Sequence, residues 1–396
     1  MSIMVESIFW IALFLIVYSY LLYPLLLLQL SAISQLKRDI SYKLFANSCG
    51  VERRTNIQSQ ELPPITVVLS AYNEEKHIVA RIENLLTLDY PADKLKIFIG
   101  CDGCSDNTVS LIQGIHDSRL CLFDFTENRG KTNVLNDLLK HVETPFTVFT
   151  DANTYFQTDA LIMLARHFEN EGVGAVCGEL SFTPTSDGSN QDGLYWKLEK
   201  LLKFNESRLG ALLGANGAIY CIRTGLYQAL EPDCIIDDFM VVMHISLKGL
   251  VVKYDSEAIA FEDEAPSAQD EYKRRVRIGA GNYQVFFRNL DALSLQRPML
   301  FFCYISHKVL RWFAPHLLLI VIVANTLLLD APIYIMSLAA QCLLYAGVYF
   351  VHRKAWQPPS LLKLPVFLLY MNVALGHGFL RYLGGNAAGA WERTAR

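Results

Sequence analysis

No charged residue interrupts the run from Ile8 to Leu30, which at 1.5 Å per helical residue is long enough to cross the hydrocarbon layer of a bilayer. In lipid every backbone polar group must be bonded internally, so this run is a helix and the chain is organised about a membrane. Hydropathy elsewhere is distributed accordingly. The chain is 52% hydrophobic with positive mean hydropathy, yet long apolar runs recur only after Trp312. They are Phe313 to Leu329, Pro332 to Phe350, and Leu364 to Leu380, the last interrupted by Asn372, His377 and two glycines. The intervening stretch, roughly 260 residues, can hold a substantial core of its own. The expected organisation is a transmembrane anchor over 1–36, a polar linker over 37–61, a globular domain over 62–295, and an interfacial helix with C-terminal spans over 296–396.

Charge sets the orientation. Glu6, the lack of an early Lys or Arg, and the absence of a small-residue cleavage site make the first run a signal anchor rather than a cleaved leader. Lys37, Arg38 and Lys43 follow it closely, so the positive-inside rule puts the globular domain in the cytosol and the N-terminus outside. Lys308, Arg311, Arg353, Lys354 and Lys363 fit four spans, whereas Arg381, Arg393 and Arg396 would fall outside unless the last segment is re-entrant. A net charge of -4 argues against a nucleic-acid partner. The nine cysteines form no framework spacing and read as free thiols in a reducing compartment. Cys101 and Cys104 make a C-x-x-C, but it encloses Asp-Gly at a strand end and has no second pair at zinc spacing.

From Leu62 strands alternate with helices. Strands are predicted at Ile65 to Ala71, Leu95 to Gly100, Leu120 to Phe125 and Phe146 to Thr150. Asn73 is expected to cap a helix to Thr87, Ser105 or Asp106 a helix to His116, and a third helix runs to His141. Each strand ends in a polar turn, which implies a doubly wound parallel sheet with those turns on one edge. Phe146 to Thr150 reads as a central strand, and ligands bind at such carboxyl ends. Asp151 and Asn153 beyond it can converge on a divalent cation or on ribose hydroxyls, or form an Asx-turn; the residues alone leave both open.

Further along, Gly174 to Gly178 continues the sheet, Ser181 to Asp192 is a polar loop and Leu194 to Leu213 a helix. Gly214-Ala-Asn-Gly217 suggests close backbone approach before a strand at Ala218 to Ile222. Asp237 and Asp238 open a helix to Lys248, and Glu262-Asp-Glu264 reads as a solvated turn. Gln269 to Leu290 is a helix with a basic stripe, Lys273, Arg274, Arg275 and Arg277, suited to a lipid surface or to a diphosphate. Lys308, Arg311 and Trp312, beside His307, read as an interfacial anchor.

The order of these motifs resembles the family 2 glycosyltransferases, specifically the membrane-embedded branch that includes cellulose, chitin and hyaluronan synthases. The likeness covers about Pro64 to Arg311. It rests on Ala71-Tyr-Asn-Glu-Glu75, Asp102-Gly-Cys-Ser-Asp106, Asn128-Arg-Gly-Lys131, Asp151-Ala-Asn153, and Asp237-Asp238 with Gly249 eleven residues on. The resemblance implies an α/β, GT-A-type nucleotide-diphosphosugar transferase fold with one N-terminal and about three C-terminal transmembrane helices. It puts Tyr72, Glu74, Asp102, Lys131 and Asp151 around the donor nucleotide. Asp151 with Asn153 would form a variant D-x-D motif for Mg2+ or Mn2+. Asp238 beside Asp237 would be the general base, and Arg274 and Arg277 would serve diphosphate or acceptor.

The implied activity is inverting transfer from a nucleotide-diphosphate sugar, expected to be UDP-linked, to a lipid or glycan acceptor in envelope or exopolysaccharide synthesis. It would occur at the inner membrane with a cytosolic catalytic domain and envelope-assembly subunits as candidate partners. Three departures stand out. Asn153 replaces a second acidic residue, Arg274-Arg-Val-Arg-Ile278 stands where processive synthases usually have Q-x-x-R-W, and His244 stands where an Arg is common. They favour addition of one or a few sugars over a long processive polymerase, which is the runner-up. A non-catalytic sugar-nucleotide-binding scaffold is a third reading, opposed by retention of Asp238 and the basic stripe.

Overall fold

A computed structural model describes residues 2–44, 61–183, 193–263, 268–353 and 359–385. Of the linker expected over 37–61, residues 37–44 instead continue the helix Tyr23–Leu44 and 45–60 lie outside the described residues; of the polar loop expected from Ser181 to Asp192, residues 181–183 are strand and the rest lies outside the described residues. The chain divides into two compact units, Leu27–Ala265 and Met1–Leu26 together with Pro266–Ala387.

The first unit is built on an eight-stranded sheet of order β3-β2-β1-β4-β7-β6-β8-β5. The strands are β1 (Ile65–Ala71), β2 (Leu95–Asp102), β3 (Leu120–Phe125), β4 (Phe146–Phe149), β5 (Tyr155–Phe156), β6 (Val173–Thr183), β7 (Tyr220–Arg223) and β8 (Val251–Asp263). The first four predicted strands pair in parallel: Val68 lies beside Phe98 on one side and Phe149 on the other. The parallel arrangement expected of these four strands holds, and beyond β4 the sheet changes direction. β7 runs antiparallel to both β4 and β6, and β5 runs antiparallel to β8, so the sheet is mixed. Every residue of β1 is buried, as a strand covered on both faces requires. Ile65, Val67 and Leu69 point to the face packed by Ile78, Ile82 and Leu85 of the following helix.

Two local expectations also change. Asn73 does not cap: it adopts a positive φ of 56°, the helix begins only at Ile78, and its Oδ1 accepts the Ser105 N–H at 2.8 Å. An amide that tolerates the left-handed region thus ties the turn after β1 to the turn after β2. Glu262 is no solvated turn. It lies within β8, is buried, and accepts a 2.8 Å hydrogen bond from the Thr154 hydroxyl.

The second unit is helical. Ile3–Ile40, only the part up to Leu26 of which belongs to this unit, Pro332–Val351 and Leu362–Leu383 are each long and apolar enough to cross a membrane. Phe313 to Leu329 is not a continuous span: Pro298–Trp312 and Ala314–Thr326 meet at a 60° bend and make a fourth crossing only as a broken pair. Pro315 lies at the start of the second piece, where its missing N–H costs nothing. Phe9 and Ala12 pack with Val321, Ala324, Leu328 and Tyr334. The basic helix spans Ala268–Arg288, and Gly279 on it approaches Leu375 and Gly378 of the last helix, where small residues let backbones meet.

Two π-helical turns, Tyr18–Leu22 and Tyr304–Val309, face each other, with Tyr18 Oη 2.9 Å from Ser306 Oγ. The interfacial-anchor reading fails here. His307, Arg311 and Trp312 are buried, and the Arg311 guanidinium lies over the Tyr20 ring at 5.1 Å.

Candidate active site

Three strand ends set the floor of the site. Ala71 pairs with Cys101, and the Thr150 N–H donates to the Val68 carbonyl, so Tyr72, Asp102 and Asp151 emerge at the same edge. Asp102 is wholly buried, and its two carboxylate oxygens accept the N–H groups of Arg129 and Gly130, each at 2.8 Å. Gly130 holds φ at 88°, a region closed to most residues, and this turn aims both N–H groups at Asp102. The carboxylate therefore fixes where the next helix, Lys131–Leu139, begins. That helix is clamped to the segment leading into Asp237. Thr132 Oγ1 donates to the Cys234 carbonyl at 3.0 Å, and the Asn136 amide exchanges two hydrogen bonds with the Leu230 backbone.

Lys131 is thereby set among acids. Its Nζ is 2.8 Å from Asp151 Oδ1 and 3.4 Å from Asp237 Oδ2. Burial works against its charge, but Asp151, Asp237 and Asp238 outweigh it, and the ammonium titrates well above the usual lysine range. Asp238 shows the reverse balance. Burial and the neighbouring Asp237 push its carboxyl from an ordinary 3.8 up to about 6, against the pull of Lys131 and the 2.8 Å hydrogen bond from the Phe239 N–H. A carboxylate tuned towards neutrality in a cleft is the pattern of a general base.

Gly214 and Gly217 complete the cradle. Gly214 has φ of 92°, and a Cβ there would lie 2.5 Å from the Phe239 ring, so glycine admits the helix that carries Asp238. At Gly217 a Cβ would lie 3.5 Å from Asp238 Oδ2, 3.6 Å from Asp151 Oδ2 and 3.6 Å from Lys131 Nζ. One point in space thus lies within 3.6 Å of Asp238, Asp151 and Lys131. The short spacing Gly214-x-x-Gly217 carried the signal of close approach, but not what approaches.

Of the residues singled out in sequence, Lys131, Asp151, Asp237 and Asp238 come together here. Tyr72, Glu74, Asp102 and Asn153 stand on the same strand-end turns. Arg274 and Arg277 belong to the helical unit. There Arg274 is half-buried, 3.8 Å from Glu271, which also binds Arg275 at 2.6 Å, while Arg277 is exposed. His244 is half-buried, and burial followed by the Lys248 charge lowers its pKa.

Among the described residues no cluster of three Asp, Glu, His or Cys side chains forms a metal cage. Asp151 and Asn153 nevertheless offer two oxygen-bearing side chains on one turn, beside a space bordered by Asp151 Oδ2. That donor set fits a hard cation that takes its remaining oxygens from phosphates and water.

Residues 66–224 match the glycosyl transferase family 2 model. The poly-beta-1,6-N-acetyl-D-glucosamine synthase of Staphylococcus aureus (strain COL) is 30% identical over 275 residues, 68% of this chain and 64% of that protein. The synthase of the same name from Staphylococcus epidermidis is 27% identical over 241 residues, 59% of this chain and 58% of that protein. This chain therefore spans less than two thirds of the length of these relatives. Among solved structures, the mannosyltransferase PcManGT from Pyrobaculum calidifontis, in complex with GDP-Man and Mn2+, superposes with a TM-score of 0.66. It covers 91% of this chain and 97% of its own at 20% identity, a likeness of fold.

Proposed function

With a family 2 glycosyltransferase domain over residues 66–224 as its premise, we propose that the chain is a membrane-bound inverting glycosyltransferase. It moves a sugar from a UDP-sugar to a glycan or lipid acceptor in exopolysaccharide or envelope synthesis. The observation that carries the reading is the convergence of Asp238, Asp151 and Lys131 on the space beside Gly217. Asp238 takes the proton of the acceptor hydroxyl, whose oxygen forms the new bond to the anomeric carbon as the bond to the diphosphate breaks on the opposite face. With a pKa of about 6 it is mostly ionised at pH 7 and still basic enough to accept that proton.

Asp237 and Asp151 hold Lys131 protonated, so a fixed cation stands beside the departing diphosphate. Asp151 and Asn153 are the residues that would hold Mg2+ or Mn2+, a cation that neutralises phosphate charge when bound. Tyr72 and Glu74 line the nucleotide side, Asp102 acts there by holding the Arg129–Gly130 turn that sets Lys131, and Arg274 and Arg277 serve diphosphate or acceptor.

The names of the staphylococcal relatives favour an N-acetylhexosamine donor and keep a processive synthase as the second reading. Ile278, where such enzymes usually carry an acceptor-stacking tryptophan, supports short products instead. The catalytic domain is taken to face the cytosol at the inner membrane. The test is release of nucleoside diphosphate by the protein in detergent from a panel of UDP- and GDP-sugars, with product length measured on glycan and lipid acceptors. No release from any donor would sink the transferase reading, and long polymers would replace single addition with processive synthesis.

A further inference from the structure

Arg81 lies on the helix after β1 and is completely buried. Its two hydrogen bonds go to neutral oxygens, Nη1 to Asn84 Oδ1 at 2.6 Å and Nη2 to Thr150 Oγ1 at 2.8 Å, and the guanidinium lies over the Phe156 ring at 4.4 Å. Its Nε has no acceptor, and among the described residues no carboxylate lies within ion-pair distance. A buried cation without a paired anion is a net cost to the fold. Burial lowers its pKa to about 9, against the fields of Tyr155, Asp151 and Glu262, which leaves it charged at neutral pH.

The bond to Thr150 reaches the turn between β4 and β5 directly, and the bond to Asn84, on the same helix, reaches its far end through Asn84. Thr150, immediately before Asp151, passes the contact on: its hydroxyl donates to the carbonyl of Ala218, immediately after Gly217. Asn84 holds the other end of the turn, accepting the Phe156 N–H at 2.8 Å and donating to the Phe156 carbonyl at 2.9 Å. Asp151 and Asn153 are suspended between these two points. Neither partner depends on Arg81 for its only hydrogen bond, so packing alone gives no reason for a charge at this position.

We infer that Arg81 is a positioning residue of the donor site: from beneath the sheet edge it holds the Asp151–Asn153 turn against Gly217 and supplies positive potential there, favouring a nucleoside diphosphate. This rests on the nucleotide-sugar reading above. Its signature is an inverse relation between stability and binding, because a residue kept for function at a cost to the fold can be replaced without loss of stability.

The experiment compares wild type, Arg81→Met, Arg81→Lys and Thr150→Val in detergent. It measures thermal unfolding, together with calorimetric binding of UDP and GDP in the presence of Mn2+. Arg81→Met is expected to unfold no earlier than wild type yet to bind the nucleotide about tenfold more weakly, and Arg81→Lys to recover part of that loss. Thr150→Val, which keeps the cation but cuts the relay to Ala218, is expected to weaken binding as well, and it stands as the test if Arg81→Met does not fold. Unchanged affinity in folded Arg81→Met or in Thr150→Val overturns the inference and leaves the transferase reading intact. Earlier unfolding with unchanged affinity makes Arg81 a structural hub only. If wild type binds neither nucleotide, the functional reading fails and this inference with it.

Discussion

Replacing Asp238 with Asn should abolish turnover and stabilise the protein at the same time. The rise of its carboxyl from 3.8 to about 6 corresponds to about 3 kcal/mol by which folding disfavours the ionised form. Asp238 keeps part of its surface in solvent, so screening reduces the usable figure to about 1–2 kcal/mol. Asn is neutral, has the same shape, and can still accept the Phe239 N–H. Because the folded chain keeps the proton to higher pH than the unfolded chain, the destabilisation is absent below about pH 4. It grows as pH rises and is complete above about pH 6.

Asp238→Asn should therefore unfold about 3–6 °C later than wild type at pH 7.5, with the gap closing towards pH 4. Nucleoside diphosphate release should fall by about a hundredfold to ten-thousandfold. Thermal scans and release assays on the same preparation decide the matter. More than about a tenth of wild-type turnover, a barrier change of only about 1.4 kcal/mol, would remove Asp238 as the base. Equal or lower stability at pH 7.5 would refute the electrostatic account of the site.

Asn153→Asp should tighten Mn2+ or Mg2+, since a carboxylate strengthens a hard-cation site; a metal titration showing unchanged affinity would take Asn153 out of the metal shell. Gly217→Ala should fold normally, because the added methyl meets its neighbours at ordinary contact distances of 3.5–3.6 Å. It should nonetheless raise the donor KM about tenfold or more by filling the shared space, and an unchanged KM would show that the donor lies elsewhere. Arg277→Ala should lower turnover about a hundredfold, about 3 kcal/mol, with partial recovery in Arg277→Lys. Full activity of the alanine variant in a membrane preparation would reduce the basic stripe to a lipid contact.

The parallel half of the sheet was legible because β1, β2 and β4 are β-branched or aromatic runs that stop at polar turns, and the strand-end placement of Asp102 and Asp151 followed from it. β8 was not legible. Its inward positions are Val252, Tyr254, Ala258, Ala260 and Glu262, two of them alanines and one an acid, with Lys253, Asp255 and Glu257 between them and a register shift near Cys177 and Glu179. Such a strand has too little apolar contrast to show a period of two. Glu262 was misread for the same reason, since a carboxylate buried against Thr154 looks in sequence like any other acid in an acidic turn. Arg81 did leave a trace. It sits among Ile78, Ile82 and Leu85 on the apolar stripe of its helix, and a cation on that stripe must either be paired or be kept for a purpose.

The π turns at Tyr18–Leu22 and Tyr304–Val309 make the first and fourth crossings tolerant of the loss of one residue at those points and nowhere else. A wide turn has taken up one more residue than an α-helical course would use, so loss of a single residue there would be absorbed locally by reversion to α-helix. Phe9 and Ala12 would keep Val321 and Tyr334, and the cost would fall on the Tyr18 contact with Ser306. The same deletion between Leu13 and Val17 meets no wide turn, so everything on its N-terminal side would rotate by about 100° relative to the residues beyond and turn Phe9 and Ala12 to another side of the helix.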